Sequence, residues 1–286
     1  MMNLRECAKK AMERDANRIR DVDDYAAINR EERNLCAVLF HLLLVNDNMR
    51  RFMELLTRPF GATGDNVSMY SEYAYARDLW NAMGRDTNKD KQDFVLEKLD
   101  LKDSLRFRAM DPEEFNTAFG ATPKASKTDI QNPGRWTVKT LNKTLKENDE
   151  FRRACVFKWA FNSKPDLVIH VSPNEAICIE AKLESAEGNY PQASDEKRIF
   201  TERLLKEGSQ ESLFVRQTEV QRYLMEQILG IKARHVFLRR PGHRSQNTAD
   251  SSSDCQITWH DVFSTLDQNG VPSFLNTVVQ SVMKAD

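Results

Sequence analysis

Cysteine is scarce and scattered. The five cysteines, Cys7, Cys36, Cys155, Cys178 and Cys255, are odd in number and none is paired at CxxC spacing. That argues against a disulfide framework and against a structural zinc site. The five histidines, at positions 41, 170, 235, 243 and 260, do not recur at metal-ligand spacing either. No GxxxxGK[ST] occurs, so nothing points to a nucleotide-driven motor within the chain. No apolar run approaches the ~20 residues that span a bilayer. Charges run through the first twenty-one residues and leave no signal-peptide pattern. The setting expected from these absences is a reducing cytoplasm with no membrane. Excess charge is lacking too: 42 Lys and Arg stand against 43 Asp and Glu, for a net −1. The protein as a whole is no basic coat for nucleic acid, and any phosphate contacts must come from local patches.

What remains is an ordinary globular balance, 40% hydrophobic and 30% charged over 286 residues, enough for one large domain or two modest ones. The first half reads as helical. Residues 3–20 suit an exposed helix. Over residues 29–57, Leu35, Val38, Leu39, Leu42, Phe52, Met53 and Leu56 recur at helical spacing, with a break expected at Asn46–Asn48. Residues 69–83 are expected to form another helix, stopped by Gly84, and residues 89–100 a short one. Residues 102–135 are polar and punctuated by Pro112, Gly120, Pro123 and Pro133, as in a connection or insertion. Residues 136–150 read as a basic helix, and 154–161 as strand or helix. Strands are predicted at 166–171, 176–183, 234–239 and 255–259, and helices at 195–207, 211–229 and 271–283. Residues 239–254 hold almost nothing to bury and read as a loop. The expected organisation is a helical region over 1–100, a connecting segment over 101–135 and a mixed α/β core over 136–286.

The informative stretch is Pro165-Asp166, a hairpin turn near Pro173-Asn174, then Glu180-Ala181-Lys182, fourteen residues after the aspartate. Along a strand, side chains alternate between faces, so Glu180 and Lys182 share one face. Ile177, Ile179, Ala181 and Leu183 share the other and read as core. Glu180 and Lys182 are charges set in an apolar strand, where unpaired charge is costly. A three-residue loop, Ser172 to Asn174, pairs Val171 with Glu175 and brings Asp166 opposite Glu180. A two-residue loop puts Asp166 across from Ala181, on the wrong face. The site therefore demands an odd-length loop. Two carboxylates on one face are hard ligands suited to Mg2+ or Mn2+, and the Ala181 carbonyl is available as a further one. Such a metal lowers the pKa of a bound water and neutralises phosphate charge. Lys182 is positioned to stabilise the growing charge or to orient the water. An ordinary hairpin with a Pro-Asn turn would produce much of the same pattern.

These residues resemble the PD-(D/E)XK nuclease superfamily over roughly residues 150–240. The resemblance implies an α/β fold of restriction-endonuclease-like type, a mixed sheet flanked by helices, here with a helical N-terminal region. It implies a metal-dependent nuclease acting on phosphodiester bonds, with DNA as the expected partner. Members commonly carry a Gln, often with a Tyr, on the helix after the motif strand. Here Gln221 is favoured as the catalytic residue, with Gln217 and Tyr223 as substrate contacts, although the family spacing of Gln and Tyr is not reproduced. Some members add an acidic ligand from an upstream helix, for which Glu72 is the candidate, with Glu54 and Glu114 competing.

Basic residues for a phosphate backbone are Lys139 and Lys143, with Lys146, then Arg152 and Arg153. Arg239, Arg240, His243 and Arg244 form a second cluster. His170 shares a strand face with Asp166. Two other classes stay open. One is a weakly active or inactive nuclease-fold module for nucleic-acid binding or assembly, with the helices of 29–57 serving a homodimer. The other is a helical interaction protein in which the hairpin is incidental.

Overall fold

The computed structural model describes residues 32–57, 67–84, 88–121, 127–183, 187–206, 213–239 and 255–270, together with positions 276 and 279. The expected helix over 3–20 lies outside these residues, as do residues 240–254 and almost all of the helix expected over 271–283.

Three layers form, because the central strands are apolar on both faces and must be covered twice. The sheet has five strands in the order β1 (Ser68–Ser71), β2 (Leu167–Ser172), β3 (Glu175–Ala181), β6 (Lys232–Arg239) and β7 (Cys255–Thr258). The first three run antiparallel to one another, while β3, β6 and β7 are mutually parallel. A separate two-stranded ribbon joins β4 (Asn189–Tyr190) to β5 (Val215–Arg216). On one face, Leu167, Ile169, Ile177, Ile179, Val236 and Leu238 pack against helices α1 (Glu32–Leu43), α2 (Asn48–Thr57) and α11 (Trp259–Thr265). On the other, Val168, Ala176, Cys178 and Ala233 meet the larger helical layer. That layer contains α3 (Tyr75–Ala82), α4 (Asn88–Leu99), α5 (Ser104–Arg108), α6 (Pro112–Phe119), α7 (Val138–Thr144), α8 (Asn148–Ala160), α9 (Ser194–Lys206) and α10 (Gln217–Arg222). Among the described residues no helix is long and apolar enough to cross a membrane.

Several expectations needed correction. The break at Asn46 is real: Asn46 and Asp47 both adopt left-handed φ, +54° and +56°, between α1 and α2. Residues 69–83, however, are not one helix. Residues 68–71 are the edge strand β1, and α3 begins only at Tyr75. Met69 packs into one core while Ser68 and Tyr70 pair on the other face, a period of two that the aromatic-rich composition concealed. The first hundred residues thus supply a strand to the sheet as well as helices. Residues 154–161 resolve as the end of helix α8. The basic stretch 136–150 splits, with Leu145 extended between α7 and α8. Within 101–135, Asp111 caps α6 reciprocally with Glu114, and Phe107, Phe115 and Phe119 are fully buried. This segment is therefore part of the core. The helix over 211–229 starts at Gln217, because Val215 and Arg216 are strand, and it widens to a π-helix over Tyr223–Ile228. Helix α11 was not anticipated.

The loop between β2 and β3 has two residues, Pro173 and Asn174, since Ser172 pairs with Glu175. The odd-length requirement is met in another way. The register shifts between His170 and Ser172, so Val171 is an extra, bulged residue. A bulge sets two residues of one strand against one of the other. Leu167 then pairs with Ile179, and one further step along that register sets Asp166 opposite Glu180.

Candidate active site

Residues directly opposite on antiparallel strands hold their Cβ atoms about 5 Å apart, so the hairpin alone brings Asp166 and Glu180 to one place. The Asp166 carboxylate accepts a hydrogen bond from the Ala181 N–H through Oδ2 at 2.8 Å. A strand residue's N–H and C=O point to the same edge, so the Ala181 carbonyl faces the Asp166 side as well. Lys182 turns its own N–H the opposite way, to the Leu238 carbonyl on β6 at 2.8 Å.

Glu180 is only 2% exposed. An isolated carboxylate at that depth is strongly disfavoured, and three donors answer it. Lys182 Nζ lies 2.6 Å from Glu180 Oε1. Gln217 Nε2 donates to the same oxygen at 2.6 Å, and Gln221 Nε2 donates to Oε2 at 2.8 Å. Hydrogen bonds to a charged group are worth about 1.5–3 kcal/mol each. Both glutamines reach Glu180 because they lie four residues apart on one face of α10. Val220, Leu224 and Ile228 anchor that helix in the core. Gln221 is fully buried, and its Oε1 has no hydrogen-bond donor among the described residues.

Other residues in the surround carry no sequence signature. The Glu187 carboxylate accepts from the N–H and hydroxyl of Thr218, at 2.9 and 2.5 Å, and so holds the first turn of α10. The Gly188 carbonyl accepts from the Gln217 N–H at 2.8 Å. A Cβ on Gly188 would lie 2.7 Å from Gln217 Oε1, a clash with the side chain that serves Glu180. Tyr190 stacks on Trp159, with centroids 5.4 Å apart. Burial, and after it the Glu180 carboxylate, pushes the Tyr190 phenol above its ordinary value. Arg239 follows from the parallel register: Glu180 pairs with Phe237 and Ala181 with Leu238, which aligns Lys182 with Arg239 on the same face. Its guanidinium lies over the Phe237 ring at 4.7 Å. Arg239 ends the strand expected over 234–239, and the other members of its basic cluster, Arg240, His243 and Arg244, lie outside the described residues.

The remaining candidates stand elsewhere. Glu72 follows β1 with φ +46°, and its carboxylate pairs with Arg33 at 2.9 Å. Only its backbone reaches the site, where its N–H donates to the Asp166 carbonyl at 3.1 Å. Glu54 pairs with Arg50, and Glu114 caps α6. Tyr223 faces Phe157 edge-on at 6.5 Å, and burial pushes its phenol up to about 12. Lys139 and Lys143 are exposed on α7, which packs against α6, α8 and α9. Arg152 is partly buried on α8. Arg153 caps the end of α4, donating to the Leu99 and Asp100 carbonyls at 2.6 and 3.2 Å.

Among the described residues no cluster of three or more His, Cys, Asp or Glu side chains is arranged to hold a metal ion. The donor set at the hairpin is two carboxylates and a backbone carbonyl, hard oxygens whose chemistry suits Mg2+ or Mn2+. The orphaned acceptor Gln221 Oε1 beside them gives a water a place to donate. Compared with protein-family models, curated proteins and solved structures, the chain matches none.

Proposed function

We propose that this chain is a metal-dependent nuclease of restriction-endonuclease-like type that hydrolyses phosphodiester bonds, most readily in DNA. The observation that carries this reading is the buried Glu180 carboxylate, opposite Asp166 and ringed by Lys182, Gln217 and Gln221. A buried charge with three polar partners, beside a second carboxylate, goes beyond what an incidental hairpin requires. The five-stranded mixed sheet flanked by helices is compatible with that fold.

Asp166, Glu180 and the Ala181 carbonyl would hold Mg2+ or Mn2+, which when bound neutralises phosphate charge and acidifies a water. Lys182 carries a cation to the charge that grows on the phosphate. The two glutamines orient Glu180, and Gln221 offers its unpartnered oxygen to the attacking water. Arg239, on the same face as Lys182, supplies a second cation for the phosphate. The second reading, an inactive nucleic-acid-binding or assembly module, is favoured by one feature: both Glu180 oxygens already accept hydrogen bonds.

Cleavage of plasmid, single-stranded DNA and RNA with Mg2+ or Mn2+ separates the two. Cutting by the native protein, lost by 100-fold or more (roughly the loss of one transition-state contact) in both Glu180→Ala and Lys182→Ala, supports the nuclease. Nucleic-acid binding with no cutting, and no metal uptake by calorimetry, supports the module.

A further inference from the structure

A cleft of about 370 Å³ opens beside β1 and β2, lined by Tyr70, Tyr73, Tyr75 and His170 with Ser68 and Ser172. That volume is at the small end of the ~300–1,000 Å³ typical of ligand pockets. The four rings form a closed circuit. Tyr73 meets Tyr75 edge to face at 4.6 Å, Tyr70 meets His170 edge to face at 5.6 Å, and tilted pairs at 5.2 and 5.7 Å link them. Tyr70 is 39% exposed, so part of this aromatic surface is open to a ligand. Among the described residues no Asp, Glu, Lys or Arg lines the cleft. Burial pushes the His170 imidazole below its ordinary value, which favours the neutral ring. One ring nitrogen is hydrogen-bonded to the Tyr75 hydroxyl at 2.7 Å, and the other has no protein partner among the described residues.

The position of the cleft is set by register. Ser68 pairs with His170 and Tyr70 with Val168, so these side chains share the sheet face of Asp166 and Glu180. His170 lies four residues along β2 from Asp166, about 13 Å at ~3.3 Å per residue. A flat, neutral, hydrogen-bonding group on a strand that also reaches the carboxylates would meet the cleft there.

We infer that this cleft binds an unpaired nucleobase of the nucleic-acid strand lying across Asp166 and Glu180. The inference rests on the nuclease reading. Bases stack on aromatic side chains regardless of sequence, and a base inside a duplex must leave its stack to do so. The substrate class is therefore single-stranded nucleic acid, or a duplex with an unpaired end or flap.

The test is fluorescence anisotropy of the full chain in metal-free buffer with EDTA. The probe is a labelled thymidine oligonucleotide of about 12 residues, within the span of ordinary single-strand sites. Tyr70→Ala is expected to bind about tenfold more weakly, the scale of one lost base stack. Tyr70→Phe, which keeps the ring, should bind as the native protein does. Replacing thymidines one at a time by abasic residues should weaken native binding at one position and leave Tyr70→Ala insensitive there. Native binding unchanged by Tyr70→Ala and by every abasic position would overturn the cleft assignment while leaving the nuclease reading intact. A native protein that neither binds the oligonucleotide nor cuts nucleic acid would overturn both.

Discussion

His170 links the aromatic cleft to pH. Its imidazole is held below the ordinary value by burial, so the folded state binds its proton more weakly than the unfolded chain does. The groups that face it are the phenol rings of Tyr70 and Tyr75. Its contribution to stability is fully present above the unfolded value near ~6.5 and is lost as pH falls from there toward the lower folded value. The melting temperature of the native protein is therefore expected to drop more, between about pH 7.5 and about pH 5, than that of His170→Phe. Parallel melting curves for the two proteins would show that His170 protonation is not coupled to folding. At the same scale, Glu180 and Lys182 were legible in the sequence because charge inside an apolar strand violates the pattern around it, and Asp166 because counting back through the hairpin brings it to their face. Gln217 and Gln221 were legible because both fall on a buried helical stripe. Tyr190, Gly188 and Glu187 were not, because a short ribbon and a helix start bring them to the site with no local signature. Glu72 was misread together with its helix, since its ion pair with Arg33 depends on where β1 ends.

The β2–β3 hairpin shows how an element can satisfy a requirement by an unforeseen route. Strand periodicity demanded an odd count between the pairs, and the chain supplies it with a two-residue turn plus a bulge at Val171. Deleting Val171 is expected to leave the Ser172–Glu175 and His170–Ala176 pairs in one regular two-residue hairpin, keep Asp166 across from Glu180 and preserve cutting. Circular dichroism should still report a folded protein, because the turn and the ladder persist. Loss of cleavage in the deletion variant would mean that the bulge itself is needed to shape the site. On the other side of the site, α10 widens into a π-helix at Tyr223, directly after the turn that carries Gln221. Such widenings are frequent at functional sites. They break the 3.6-residue period, and helical spacing from Gln217 onward gave no sign of it.

Across the whole molecule, the two helical layers are tied to the sheet at widely separated points in sequence. Asn48 is fully buried at the start of α2 and donates to the carbonyls of Leu42 and Asp267, at 2.9 and 2.8 Å. It also accepts from the Asp267 N–H at 2.7 Å. One side chain thus joins α1, α2 and the segment after α11. Asn48→Ala should destabilise the protein by about 3 kcal/mol, because buried backbone groups lose their partners. The rate of cutting per folded molecule should not change, since the residue lies on the sheet face away from Glu180. Denaturant unfolding and single-turnover rates measure the two separately, and a loss below ~1 kcal/mol would mean the junction is held by packing alone.

Apolar periodicity by itself determined that the chain forms helices followed by a mixed α/β region, and where most of them lie. Charge placed against that periodicity determined which residues have unusual chemistry. These are local properties, written in short stretches of the chain. Tertiary structure decided what covers the sheet, which strand lies at its edge, and which distant side chains answer Glu180. The edge strand β1 is four residues long and becomes a strand only when β2, almost a hundred positions later, offers its backbone. Its aromatic neighbours become a cleft only because that pairing brings His170 beside them.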